Sequence, residues 1–157
     1  MNDHDRPLAP RGVKAAEMMH DHLVAAGIQP ELVLCSSSRR TRETLAGVAP
    51  SGEVLVEPAL YDASVGTILA RLHELPDTTS SVMVIGHQPE MQALTLQLDG
   101  SARHADDDSP RAEVERKFPT GALATIEFDG PWRELAPGTA TLTAFVRPKA
   151  LRNGAVR

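Results

Sequence analysis

The chain has 157 residues, 41% hydrophobic but only 3% aromatic, and its 16 Lys and Arg against 21 Asp and Glu give a net charge of -5. That length fits a single domain, residues 1–157, with an aliphatic core suited to layered α/β packing, and the scattered basic residues leave no electrostatic footprint for nucleic acid or an anionic membrane. One cysteine excludes an internal disulfide, no apolar run is long enough to span a bilayer, and the N-terminus lacks a basic-then-apolar secretory pattern, so the expected compartment is a reducing cytoplasm.

The opening stretch MNDHDRPLAPRG is polar, with no strand before the first helix. From Gly12 to Gly27, apolar Ala16, Met19, Leu23 and Ala26 recur at helical spacing, and Gly27 supplies a left-handed stop. ELVLCS then reads as a strand, and SSRRTRETLAGVA as a serine-capped helix whose first turns carry three arginines. EVLVE is a second strand. YDASVGTILARLHEL is a helix with Val65, Ile68, Leu69 and Leu72 on one face, capped by Asp62 or Ser64. After the loop PDTTS, SVMVI reads as a buried strand, and GHQPEMQALTLQL as a helix that takes Pro89 in its first turn.

Residues 99–117 contain almost nothing apolar and are expected to form a mobile surface excursion. GALATIEF and TATLTAFV follow as an antiparallel pair at the sheet edge, with RPKALRNGAVR as a fraying tail. The alternation of strands and helices makes the expected class α/β with a mostly parallel sheet.

In open α/β sheets ligands bind beyond the carboxyl ends of the strands, and two such ends carry reactive residues. LCSSSRRTRET places hydroxyls and guanidiniums at a helix start, where free N–H groups and the helix dipole favour an anion. VIGHQPE delivers His87 at the next strand end, where an imidazole can donate to a phosphoryl oxygen or exchange a proton near neutral pH. Taken alone, an Arg- and Ser-rich helix start is also what a well-capped, solvated terminus looks like; together the two ends point into one crevice. His20 and His22, two apart on a helix, do not face each other, His73 and His104 read as surface residues, and no zinc spacing occurs, so no metal or cofactor is expected. Cys35 reads as a small buried strand residue.

DRPLAPRG, LVLCSSSRRTRET, LYDAS, VIGHQP, FPTGALA and FVRPKAL, in this order, resemble the histidine phosphatase (phosphoglycerate-mutase-like) superfamily, and most closely its SixA-type phosphohistidine phosphatase branch. The resemblance implies a three-layer sandwich and a phosphatase that hydrolyses phosphohistidine or a phosphomonoester through a phosphohistidine intermediate, without a metal. It implies that Arg40 clamps the phosphoryl group, that Ser36 and Thr44 frame it, and that His87 is the second active-site histidine; Arg39 and Arg42 receive no role. Partners would be a phosphorylated small molecule or a phosphohistidine protein.

The family's nucleophile lies in an Arg-His-Gly or Arg-His-Ala motif at the end of a central first strand, ahead of the segment matched by DRPLAPRG, and no such strand or motif stands ahead of that segment here. His4, between two aspartates with no apolar run before it, is not a substitute. The expectation is an N-terminally truncated domain whose catalytic strand lies upstream of Met1; the alternatives are a catalytically inactive module that binds phosphate or phosphoproteins, and a nonfunctional fragment.

Overall fold

In a computed structural model, which describes residues 1–101 and 108–152, the run LVLCS forms strand β1 (Leu32–Ser36), buried along its whole length. That burial follows from its central place in a parallel sheet. Strand β2 (Glu53–Glu57) pairs on one side and β3 (Val82–Ile85) on the other, with Cys35 in register with both Val56 and Ile85. Gly52, at φ +99°, turns the chain into β2 where any Cβ would collide with the Pro30 carbonyl oxygen.

The helices beside this sheet begin with α1 (Pro10–Ala26), which opens on a proline and ends on Gly27 at φ +69°. Its buried stripe of Gly12, Ala15, Ala16, Met19 and Leu23 is narrow and small-sided. Helix α2 (Arg39–Val48) packs against it so closely that a Cβ on Gly47 would lie 2.7 Å from the Ala16 methyl. Ser38 caps α2 by accepting from the Thr41 N–H.

Two expectations for this part of the chain are corrected. SVMVI is not fully buried: all four residues of β3 are half-buried, because among the described residues β3 hydrogen-bonds only to β1 and its outer edge takes no strand. The terminal segment does not simply fray, since Pro148–Arg152 forms a short helix, α6, against α1; residues 153–157 lie outside the described residues.

Contacts divide the chain into two units. The elements above, with residues 1–62, 78–87 and the chain from Pro148, form the first; residues 63–77 and 88–147 form the second. In the second, α3 (Val65–His73) is capped by Ser64, and α4 (Glu90–Leu98) follows a cis Gln88–Pro89 bond, with Pro89 at the capping position rather than inside the first turn. Strands β4 (Leu123–Glu127) and β5 (Thr141–Val146) pair antiparallel as expected, but as a two-stranded sheet of their own rather than on the edge of the parallel sheet.

The stretch 99–117 is the largest departure. Residues 110–116 form helix α5 (Pro110–Arg116), capped by Ser109, with Val114 fully buried. Asp99 is also buried, and its carboxylate accepts from Arg111 Nη1 at 3.1 Å, Ser101 Oγ at 2.6 Å and the Leu142 N–H at 2.9 Å. Residues 102–107, with His104, lie outside the described residues. His73 is half-buried rather than a surface residue, with Nε2 2.6 Å from the Leu135 carbonyl.

Candidate functional site

The parallel pairing of β1 with β3 brings the two predicted strand ends side by side. Ser36, the last residue of β1, meets His87, two residues beyond β3, with Oγ 2.7 Å from His87 Nε2. Arg40, in the first turn of α2, approaches His87 Nδ1 through Nη2 at 3.4 Å. A guanidinium only donates, so Nδ1 accepts and Nε2 carries the proton that it donates to Ser36. Three of the four predicted site residues thus converge. The fourth, Thr44, turns its hydroxyl back onto the Arg40 carbonyl at 2.9 Å, within its own helix.

The loop from Ser36 to Ser38 is held from within. The buried Thr41 hydroxyl donates to the Ser36 carbonyl at 2.8 Å and lies 2.6 Å from Ser38 Oγ. Thr41→Val keeps the shape but removes the donor, and is expected to cost about 1–3 kcal/mol, the penalty for a buried carbonyl left short of a partner. Urea unfolding measures it, and a loss below about 0.5 kcal/mol would contradict this role for the hydroxyl. Of the remaining arginines, Arg39 pairs with Glu43 at 3.0 Å and Arg42 donates to the Ser37 carbonyl at 3.0 Å. Cys35 is sealed beneath the loop, and burial pushes its thiol up to about 11, so it is protonated at neutral pH and no nucleophile.

The residues that sequence reasoning missed come from the polar leader and from LYDAS. Asp3–Asp5 forms a single 3-10 turn beside Arg40. Arg40 donates through Nη1 to the Asp3 carbonyl at 2.9 Å and through Nη2 to Asp3 Oδ2 at 3.1 Å, while Tyr61 donates its hydroxyl to the same Oδ2 at 2.5 Å. The Tyr61 hydrogen bond first, with Arg6 and Arg40 behind it, holds the Asp3 carboxyl well below the usual carboxylate range. His4 Nε2 lies 2.9 Å from Ser37 Oγ, and the Tyr61 ring stands edge-on to both His4 and His87, with centroids 4.8 Å and 5.6 Å away. No local pattern marks Asp3, 37 residues from Arg40; the only available signal was the position of DHD just ahead of the matched RPL segment.

Among the described residues no group of three or more His, Cys, Asp or Glu is placed to hold a metal, and no helix is long and apolar enough to cross a membrane. The fold and this junction define an α/β protein with an Arg–His pair at adjacent parallel strand ends.

No family model matches the chain. It is 35% identical over 148 residues to an uncharacterised protein of Mycobacterium tuberculosis, covering 94% of this chain and 92% of that protein. A solved structure assigned to phosphohistidine phosphatase SixA of Nakamurella multipartitia is 36% identical with a TM-score of 0.82, over 94% of this chain and 88% of that one. A structure of the protein histidine phosphatase SixA complexed with tungstate is 26% identical with a TM-score of 0.75, over 96% and 89% of the two chains. The chain belongs to the histidine phosphatase superfamily, in its SixA phosphohistidine phosphatase branch.

Proposed function

We propose that Arg40 and His87 form the phosphoryl-binding part of a phosphatase site acting on phosphohistidine or a phosphomonoester. The observation that carries this reading is the 3.4 Å approach of Arg40 to His87 at two adjacent strand ends. A guanidinium fork and an imidazole in one crevice suit the oxygens of a transferring phosphoryl group. The tungstate complex of SixA, holding a tetrahedral oxyanion, supports the same ligand class here.

In the proposed reaction a histidine nitrogen attacks phosphorus as the bond to the leaving nitrogen or oxygen breaks. Water then attacks the phosphohistidine, releasing inorganic phosphate and restoring the imidazole. Arg40 keeps its charge throughout and holds the phosphoryl oxygens. His87, once it lets go of Ser36, has an N–H to donate to a phosphoryl oxygen or to the leaving group. We assign the attacking histidine to a strand upstream of Met1 that pairs with β3. Support for this comes from the outer edge of β3, which takes no strand among the described residues, and from its four half-exposed apolar residues.

A second reading, phosphate binding without turnover, is favoured by the engagement of both His87 ring nitrogens with Ser36 and Arg40. An assay with 4-nitrophenyl phosphate separates the readings. If the nucleophile lies upstream, the 157-residue chain binds phosphate without turnover, and a chain extended upstream to include the strand turns over. Sustained turnover by residues 1–157 alone would overturn the upstream assignment, and an inactive extended chain would favour the binding module. In the active form His87→Ala is expected to lower kcat by roughly 100- to 10,000-fold while changing phosphate affinity less than Arg40→Ala does; an unchanged kcat would remove His87 from the chemistry.

A further inference from the structure

The 3-10 turn at Asp3–Asp5 has no buried residue, yet it lies on the candidate site. Both terminal nitrogens of Arg40, the fork that would take two phosphoryl oxygens, donate to Asp3. Tyr61 donates to the same carboxylate, and Arg6 Nη2 neutralises its other oxygen at 2.8 Å. An anionic carboxylate ringed by a guanidinium fork, a phenol and a second arginine has the donor environment that a phosphoryl group would seek. The Arg40 side chain is 22% exposed and that of Asp3 49%, so the acid sits on the solvent side of its partner.

The turn is held by polar and ring contacts rather than by burial. Its other link to the loop after β1 is the contact of His4 with Ser37, and the chain is next pinned at Leu8, whose N–H donates to Glu43 at 2.7 Å.

Resting on the phosphoryl-site reading above, we propose that Asp3 is an intramolecular competitor, a carboxylate lodged on the Arg40 fork that an incoming anion must displace. A tethered group competes at an effective concentration that a free anion has to match. The apparent affinity of every ligand is then reduced by the fraction of molecules in which the fork is open. This predicts a specific pattern: because displacement is needed once whatever displaces Asp3, removing its charge improves all ligands by the same factor. A fixed acid beside a bound ligand would instead repel a dianion more than a monoanion, and an acid that merely orients Arg40 would weaken binding when removed.

The test is titration calorimetry of the wild-type chain and Asp3→Asn with inorganic phosphate, and with dimethyl phosphate as a monoanion. NMR observation of Tyr61, the single tyrosine, accompanies it. A closed fraction near nine-tenths gives about a tenfold tighter binding of both ligands in Asp3→Asn. In the wild-type chain phosphate then also shifts the Tyr61 ring signals as its hydroxyl loses Asp3. Unchanged or weaker binding in Asp3→Asn would overturn the proposal in favour of a positioning role. An improvement confined to phosphate would overturn it in favour of a fixed, repelling acid. If neither protein binds phosphate, both the competitor and the phosphoryl site fall. Binding that survives Arg40→Ala undiminished removes the fork from the site, and the competitor with it.

Discussion

Arg40→Ala is expected to weaken inorganic phosphate binding by about 2–4 kcal/mol, roughly 30- to 1,000-fold. The size follows from what the side chain supplies. Arg40 emerges from the first turn of α2, beside the capped N-terminus, and its guanidinium reaches across to His87 at 3.4 Å. Two charge-assisted hydrogen bonds from one planar group give both energy and orientation, and neither is replaced by a methyl group. Arg40→Lys keeps the charge but loses the fork, so a smaller loss of about tenfold is expected. Calorimetry with inorganic phosphate measures both variants. A dissociation constant for Arg40→Ala within about threefold of the wild-type value would mean that the anion is held elsewhere.

Asp99→Ala is expected to be the most destabilising single change, costing about 3–5 kcal/mol, as the removal of one partner from a buried ion pair does. Asp99 joins three separate pieces of its unit: the Leu142 N–H at the start of β5, Ser101, and Arg111 on α5. Its side chain is fully buried and that of Arg111 is 14% exposed, so the truncation takes the closest carboxylate from a nearly buried guanidinium, leaving it the Leu96 and Asp99 carbonyls and Glu115, and leaves the Leu142 N–H unmatched. Urea unfolding should show the midpoint fall by about 1–2 M, with far-ultraviolet circular dichroism as the readout. A fall below about 0.3 M would show that the network is dispensable.

The same group gives stability a pH dependence. Burial by itself raises the Asp99 carboxyl, but hydrogen bonds from the Leu142 N–H, Ser101 and Arg111 outweigh it and leave it below its ordinary value. A carboxyl depressed in the folded state binds fewer protons than in the unfolded chain. Its contribution is therefore complete above the unfolded value near 3.8 and is lost as pH falls toward and through the folded one. Asp99→Asn should flatten this part of the acid limb of a stability profile. An acid limb identical to that of the wild-type protein would assign the dependence to other carboxylates.

How much of this was legible in the sequence varied with the range of the interactions involved. LVLCS declared itself as a strand because it is a short apolar run ahead of a polar turn, and Gly27 ended α1 by a purely local rule. VMVI carries the same kind of signal, yet it is half-buried, since burial there depends on which strands pair with it. Helix α5 was hidden in a window dominated by Asp106, Asp107 and Asp108. Its signature was nevertheless present in Ser109 followed by Pro110, with Val114 the buried residue that anchors it. At the site, Ser36, Arg40 and His87 were readable because each lies at a strand end or a few residues beyond it. Asp3 and Tyr61 were not, because 37 and 21 residues separate them from Arg40 and only the fold brings them to it.

The phosphoryl site is tested most directly by following the backbone amides and histidine ring signals of the 157-residue chain by NMR while inorganic phosphate is added. The expected result is saturable shifts concentrated in Ser36 to Arg40 and His87, with Asp3, His4 and Tyr61 moving in parallel and the signals of β4 and β5 unchanged. Shifts that saturate elsewhere in the chain, or none at phosphate concentrations up to about 100-fold above a millimolar dissociation constant, would contradict it.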